Sequence, residues 1–367
     1  MDVVLFWGII AIFCALLQSL GFWKYGLLCG FVITTTLLAI HYDFGNDYWS
    51  YYDWFEESLS MPLPNTISEF LEMSRDPGWD ILNLFFGSVF GDDGFFIMVA
   101  VLSVIEGLCY YRFIKNCISP RWYWFAMALY VFNNHLFILS FSMMRQSFVM
   151  AVLLFCYLWI QERRIILPAI VVLLLSTIHN SVLLCLPFVF FSYIPIKNQR
   201  VWSIWLVCLW LLFLVFSSIL EPILLQFAKL TEMFARYAEV YSETGDMTFG
   251  FGYFLRVLPF FALLYALFFC QIEEDDLPLV LIWSLSIIFI PFGTIIPIFG
   301  RLLFYFELLG LVVFPKIIVC FRNIIIRMIL VLSILIFPIQ QLRNAFYDPA
   351  SVYYDAFLHF TTIFEVL

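Results

Sequence analysis

Residues 165–194 read IILPAIVVLLLSTIHNSVLLCLPFVFFSYI, an apolar run of 30 residues with one polar knot at Ser176, Thr177, His179, Asn180 and Ser181. As one helix it would extend about 45 Å, against a membrane hydrocarbon core of about 30 Å. It is too long for one upright span and too apolar for a soluble loop. The reading that satisfies both is a pair of short half-spans meeting at the knot, an arrangement tolerated where a broken helix lines a cavity.

The rest of the chain has the same character. Of 367 residues, 64% are hydrophobic, 21% aromatic and only 12% charged. A soluble fold lacks the interior to hide that much apolar surface. The composition excludes a cytosolic enzyme, a disordered chain and a nucleic-acid binder, and a net charge of −9 argues against a polyanion held by bulk charge. Further apolar runs lie at about 3–22, 25–41, 94–113, 122–142, 145–161, 201–219, 250–270, 277–298, 302–319 and 324–339. They are long and do not alternate, so strands are excluded. The expected fold is all-α: a single polytopic transmembrane domain over 1–367, with about 11–12 crossings and a broken span near His179. The first run lacks a basic leader segment and a small-residue cleavage site, and reads as a span.

Twelve crossings place both termini on one side. The opposite side then collects 11 of the 18 Lys and Arg residues, which makes it cytoplasmic by the positive-inside rule. Before residue 165 the split is 6 to 2 and decides the orientation; after it the charges divide 5 to 5, so the later topology rests on the broken span. Three polar stretches are thereby expected outside the cytoplasm: 42–93, with interfacial helices, 220–249, and the tail 343–367. Nucleotide-activated substrates are not available on that face, so a reaction there needs a pre-activated, lipid-linked one. No Walker-type or dinucleotide-binding glycine motif occurs. Nine cysteines without a CxxC pair, and four histidines without ligand spacing, suggest neither disulfides nor a metal.

Chemistry concentrates in a few places. The stretch His41–Glu57 interleaves carboxylates (Asp43, Asp47, Asp53, Glu56, Glu57) with Tyr and Trp, a pattern suited to sugars because aromatic faces stack on pyranose rings and carboxylates accept hydroxyl hydrogen bonds. An interfacial amphipathic helix would read the same way. Arg145 and Arg301 each open an apolar run, and Arg256 lies a turn or two inside another. Arginine at a membrane edge can snorkel, but three on one face make a convergent anion site, because guanidinium forks onto phosphate oxygens. His179 and Asn180 sit in the polar knot.

These motifs together resemble the EpsG family of membrane polysaccharide polymerases, relatives of the Wzy O-antigen polymerases. The matching elements are Gly45-Asn46-Asp47-Tyr48-Trp49-Ser50-Tyr51, Pro77-Gly78-Trp79-Asp80-Ile81-Leu82-Asn83, Arg145-Gln146, Ser176-Thr177-Ile178-His179-Asn180-Ser181-Val182, and a late pattern running from Arg301 to Tyr305. Val149 and Val182 stand where the family favours Ala. The resemblance implies polymerisation of undecaprenyl-diphosphate-linked oligosaccharide repeat units at the outer face of the bacterial inner membrane, giving O-antigen, capsule or exopolysaccharide. It implies His179 and Asp47 as catalytic candidates and Arg145 and Arg301 as diphosphate ligands, which Arg256 joins from the arginine pattern. Tyr48, Tyr51, Gln146, Asn180 and Tyr305 become substrate contacts, with no cofactor or metal; beyond the bilayer and the lipid-linked substrate, a chain-length regulator is a candidate partner. Two other readings stay open: a metal-dependent glycosyltransferase using a polyprenyl-phosphate sugar, and a transporter or flippase for a lipid-linked or anionic solute. An acyltransferase built on Asn134-His135 is more distant.

Overall fold

The computed structural model describes residues 1–366 except 61–65, 75, 194–197, 231–250, 271 and 291–296; at 67, 71, 73, 192, 193, 217–230, 251, 297–299 and 301 it describes the backbone alone. The described residues are predominantly helical, with one two-residue antiparallel strand pair. Among the described residues, six helices are long and apolar enough to cross a membrane, and four shorter apolar helices accompany them. The protein is an all-α polytopic membrane protein. In lipid every backbone donor and acceptor must be met internally, which leaves an apolar chain little choice but helix.

The chain divides into two compact units, Met1–Val189 with Pro338–Leu367, and Phe190–Phe337. The first contains α1 (Asp2–Ser19), α2 (Gly26–Ile40), β1 (His41–Tyr42), α3 (Tyr48–Ser60), α4 (Ile67–Met73), α5 (Pro77–Phe90), α6 (Gly94–Cys117), α7 (Tyr123–Phe132), α8 (Met144–Gln161), α9 (Ile166–Leu175) and β2 (Thr361–Thr362). α1 packs on α2 and α7, α2 on α6, α6 on α8, and α8 on α9. α1 buries Val4, Gly8, Ala11 and Ala15 and turns Phe6, Trp7, Ile9 and Phe13 outward. Small residues inside and bulky ones outside are what helix packing in lipid requires.

Contacts at the two ends of this unit fix its direction of travel. At one end the N-terminal amine donates to Leu358 O at 3.1 Å, and Tyr347 Oη donates to Asp2 Oδ1 at 2.6 Å. There β1 also pairs with β2, His41 opposite Thr362. At the other end Ser19 Oγ donates to Pro120 O at 2.9 Å and accepts from Trp124 N at 3.1 Å. The N-terminus, the exit of α2 and the C-terminal tail therefore share one end.

Two of the expected spans are interrupted. The run 122–142 leaves the helix at Asn133, whose Oδ1 accepts the His135 N–H at 3.0 Å; a 3-10 turn over Ile138–Phe141 follows before α8. A short polar side chain bonding its own backbone offers the chain an alternative to the helical ladder. The run 165–194 breaks at its polar knot. Ser176 Oγ and Thr177 Oγ1 each donate at 2.7 Å to carbonyls three residues back, and α9 stops at Leu175. The second half differs from an α half-span: Asn180–Tyr193 winds as a 3-10 helix with Pro187 inside it, a residue that has no N–H to give to an α ladder.

The second unit contains the helices Gln199–Leu230, Phe251–Tyr265, Leu277–Ile288, Pro297–Glu307 and Gly310–Val319, and the first part of Ile324–Phe346. Asp276, the last residue of the acidic run Glu273-Glu274-Asp275-Asp276, is buried and bound by Lys316 Nζ at 2.6 Å. Residues 231–250, the core of the second polar stretch, lie outside the described residues.

Candidate functional site

The chain leaves α2 through β1 and turns sharply, with positive φ at Asp43 (47°) and Gly45 (120°). The second of these is a conformation that side chains other than glycine rarely adopt. Gly45 is further held because a Cβ there would stand 2.8 Å from Phe141 O. Gly45 N donates to Ala356 O at 3.0 Å and Asp47 N donates to Ser142 Oγ at 3.2 Å. The Gly45–Asp47 turn is thus strapped both to the C-terminal tail and to the corner that starts α8. Asp47 is exposed, along with Asp43, Asn46, Trp49, Ser50 and Asp53. Trp49 Nε1 donates to Asp43 Oδ1 at 2.5 Å. Tyr48 faces the other way. It is fully buried and its ring meets those of His41, Tyr42 and Phe95 edge-on; burial pushes its hydroxyl above the ordinary tyrosine range.

Arg145, the second residue of α8, is firmly held. Its Nη1 pairs with Asp76 Oδ2, both side chains being largely buried. Its guanidinium carbon lies 4.5 Å from the Trp54 ring centre and 5.6 Å from that of Tyr51. Burial raises the pKa of the Tyr51 hydroxyl, and the neighbouring guanidinium opposes that shift. The box is braced from behind: Trp54 Nε1 donates to Asp80 Oδ1 at 2.7 Å, and Ser74 Oγ donates to Asp80 Oδ2. Arg145 Nε is buried without a hydrogen-bond partner among the described residues. A guanidinium carries five N–H donors, so the pairing with Asp76 orients Arg145 without exhausting it.

Asp76 is not among the residues that the sequence singles out. It stands at the N-cap of α5, before Pro77, but its side chain makes no capping bond. The signal in the sequence is a carboxylate in a cap position directly before Pro77-Gly78-Trp79; that its partner is 69 residues away is a property of the fold.

The knot at 176–180 joins the same neighbourhood through backbone. Gly78 N donates to Thr177 O at 2.8 Å, and a Cβ on Gly78 would lie 2.2 Å from Thr177 Oγ1. His179 N donates to Leu175 O at 3.0 Å, and His179 and Asn180 are half-buried. Four of the sequence elements are therefore linked: the Gly45 turn to the start of α8, Arg145 to Asp76, and the Gly78 turn to the residues preceding His179. Gln146, the next residue of α8, is buried at 3% exposure.

In the second unit Arg256 Nη2 pairs with Glu307 Oε1 at 2.7 Å and its guanidinium lies 5.9 Å from the Phe337 ring centre. Glu307 is another partner the sequence does not announce. Arg301 lies in the helix Pro297–Glu307 and its side chain is outside the described residues; Tyr305 in the same helix is fully buried. Among the described residues no three His, Cys, Asp or Glu side chains are grouped to hold a metal ion.

The family model for the EpsG family matches residues 24–362 of the 367. The chain belongs to the EpsG family. That family comprises polysaccharide polymerases, which gives this chain a role in polysaccharide biosynthesis. The EpsG match spans both units, including the Arg145 box and the Arg256–Glu307 pair. No curated protein and no solved structure matches the chain.

Proposed function

We propose that this EpsG protein joins undecaprenyl-diphosphate-linked oligosaccharide repeat units into a surface polysaccharide, at the outer face of the bacterial cytoplasmic membrane and without a metal. The bond from the anomeric carbon of the growing glycan to its diphosphate oxygen breaks. The same carbon bonds to a hydroxyl oxygen of the next lipid-linked unit. The hydroxyl proton passes to a base, Asp47 or His179, and undecaprenyl diphosphate leaves.

The observation that carries this reading is the Arg145 box. Its guanidinium is held against Trp54 and Tyr51 and oriented by Asp76, next to the turn that presents exposed Asp47. Diphosphate is already a good leaving group, so a fixed cation that neutralises its developing charge does more for the reaction than a general acid. The exposed strip of Asp43, Asp47, Trp49 and Asp53 offers the mixture of carboxylate and aromatic face that pyranoses bind. Tyr51, Gln146 and Asn180 are the proposed substrate-side neighbours in this unit. Arg301 and Tyr305 are proposed from the motif for the second, and Arg256 from its place inside an apolar run.

The test is a reconstituted assay: purified protein in liposomes with the lipid-linked repeat unit, products resolved by length. Polymer formation insensitive to chelator supports the proposal. Complete inhibition by a chelator, restored by a divalent ion, overturns it in favour of a metal-dependent glycosyltransferase. Movement of the substrate across the bilayer with no new glycosidic bond overturns it in favour of a transporter.

A further inference from the structure

Away from the Arg145 box, the first unit buries a carboxyl group that nothing above employs. Glu106 lies near the middle of α6, 5% exposed, and its Oε2 has no hydrogen-bond partner among the described residues. No ion pair reaches it among the described residues. An ionised carboxylate so placed is costly, and ionisable groups inside membrane helices are usually functional. Glu106 lines a small pocket of about 10 Å³ together with His41, Ser103, Ser140 and Met144, which is just room for one water.

The polar groups of this pocket have a definite sense. His41 Nδ1 lies 2.6 Å from Leu38 O; a carbonyl only accepts, so Nδ1 carries the hydrogen and, in the neutral ring, Nε2 is an acceptor. Nε2 is itself buried without a hydrogen-bond partner among the described residues. Ser103 Oγ donates to Val99 O at 2.8 Å and Ser140 Oγ donates to Leu136 O at 2.7 Å, so both hydroxyls have spent their hydrogens and offer only lone pairs. The titratable neighbours of Glu106 are Cys109 and Tyr110 on its own helix and Tyr130 on α7, none of them a cation. The lining is short of hydrogens, and it calls for a guest that brings them.

We propose that the pocket is a binding site for one water and one proton: Glu106 carries the proton and donates it to the water, and the water donates to His41 Nε2 and to a serine hydroxyl. This completes the accounting for both buried unpartnered atoms. It also ties the exit of α2 to α6, between the segments that carry Asp47 and Arg145, and it does not depend on the polymerase reading.

The experiment is infrared spectroscopy of the full-length protein in lipid nanodiscs at neutral pH. The wild type should show a protonated-carboxyl C=O band that is lost in Glu106→Gln. His41→Asn keeps a donor for Leu38 O but removes Nε2, and should shift that band to higher frequency as the hydrogen-bonded chain shortens. Absence of any protonated-carboxyl band in the wild type overturns the proposal, whether or not the variants fold. So does a band that persists in Glu106→Gln or stands unmoved in His41→Asn. A wild-type melting temperature raised by sodium over potassium at equal ionic strength, with the difference lost in Glu106→Gln, also overturns it and makes the guest a metal cation.

Discussion

The backbone N–H of Gly78 donates to the carbonyl of Thr177 at 2.8 Å, joining the turn that opens α5 to the break that ends α9. The contact leaves no room for a side chain, since a Cβ on Gly78 would meet Thr177 Oγ1 at 2.2 Å. That hydroxyl is itself held by Leu174 O and cannot simply swing away. Gly78→Ala should therefore lower stability by about 1–3 kcal/mol and shorten the polymer made. Adding Thr177→Ala should recover part of both. Thermal denaturation and product-length gels on the single and double variants check this.

Arg145 is held as a planar group, against two rings and one carboxylate. Lysine keeps the charge but loses the fork and the stacking surface. Arg145→Lys should reduce turnover about 100-fold, the scale of losing one preorganised donor to developing charge, while expression is kept. Asp76→Ala should cost about 3 kcal/mol, because it strands a buried cation. Wild-type turnover in Arg145→Lys removes Arg145 from the diphosphate site.

The two base candidates differ in surroundings: Asp47 is exposed and His179 half-buried. Asp47→Ala should leave stability within about 0.5 kcal/mol, so any loss of activity reports on chemistry. Loss of the true base should slow the reaction by about 100-fold or more. Single-turnover rates for Asp47→Ala and His179→Ala separate them. Full rates in both exclude either residue as general base.

The C-terminal tail braces the Asp47 turn. Phe357 is fully buried, its ring 4.9 Å from Phe44 and 4.8 Å from Phe346, and Ala356 O holds Gly45 N. Phe357→Ala should cost about 3–5 kcal/mol and weaken activity through the turn it no longer supports. The measurement is a melting temperature alongside polymer yield at a temperature where the variant is still folded.

Because β1 pairs with β2, the α2 exit and the tail lie on one side of the membrane. Cysteines introduced at Asp53 and Val352, both exposed, should label alike with an impermeant thiol reagent in intact cells, in a background whose native cysteines do not react. Labelling at one position and protection at the other contradicts the shared side; protection at both, with labelling after permeabilisation, places the Arg145 box on the cytoplasmic face.

Composition alone was enough for the fold class, because a chain this apolar can satisfy its backbone in lipid chiefly by helix. The break at 176–180 was legible for a similar reason: serine and threonine hydroxyls compete for carbonyls three or four residues away, a distance over which sequence and structure coincide. The interruption at Asn133 obeys the same rule and was hidden by the length of the apolar run around it. The motif residues Asp47, Tyr51 and Arg145 were readable as candidates, but not the relation among them. Asp76 and Glu307 become the partners of Arg145 and Arg256 through the packing of helices distant in sequence. Tyr48 and Tyr305 turn inward rather than outward for the same reason. Local hydrogen-bond competition and hydrophobicity act within a few residues and can be read along the chain. Which carboxylate faces which guanidinium depends on the rotation and register of whole helices, and these are settled where all the buried faces meet at once.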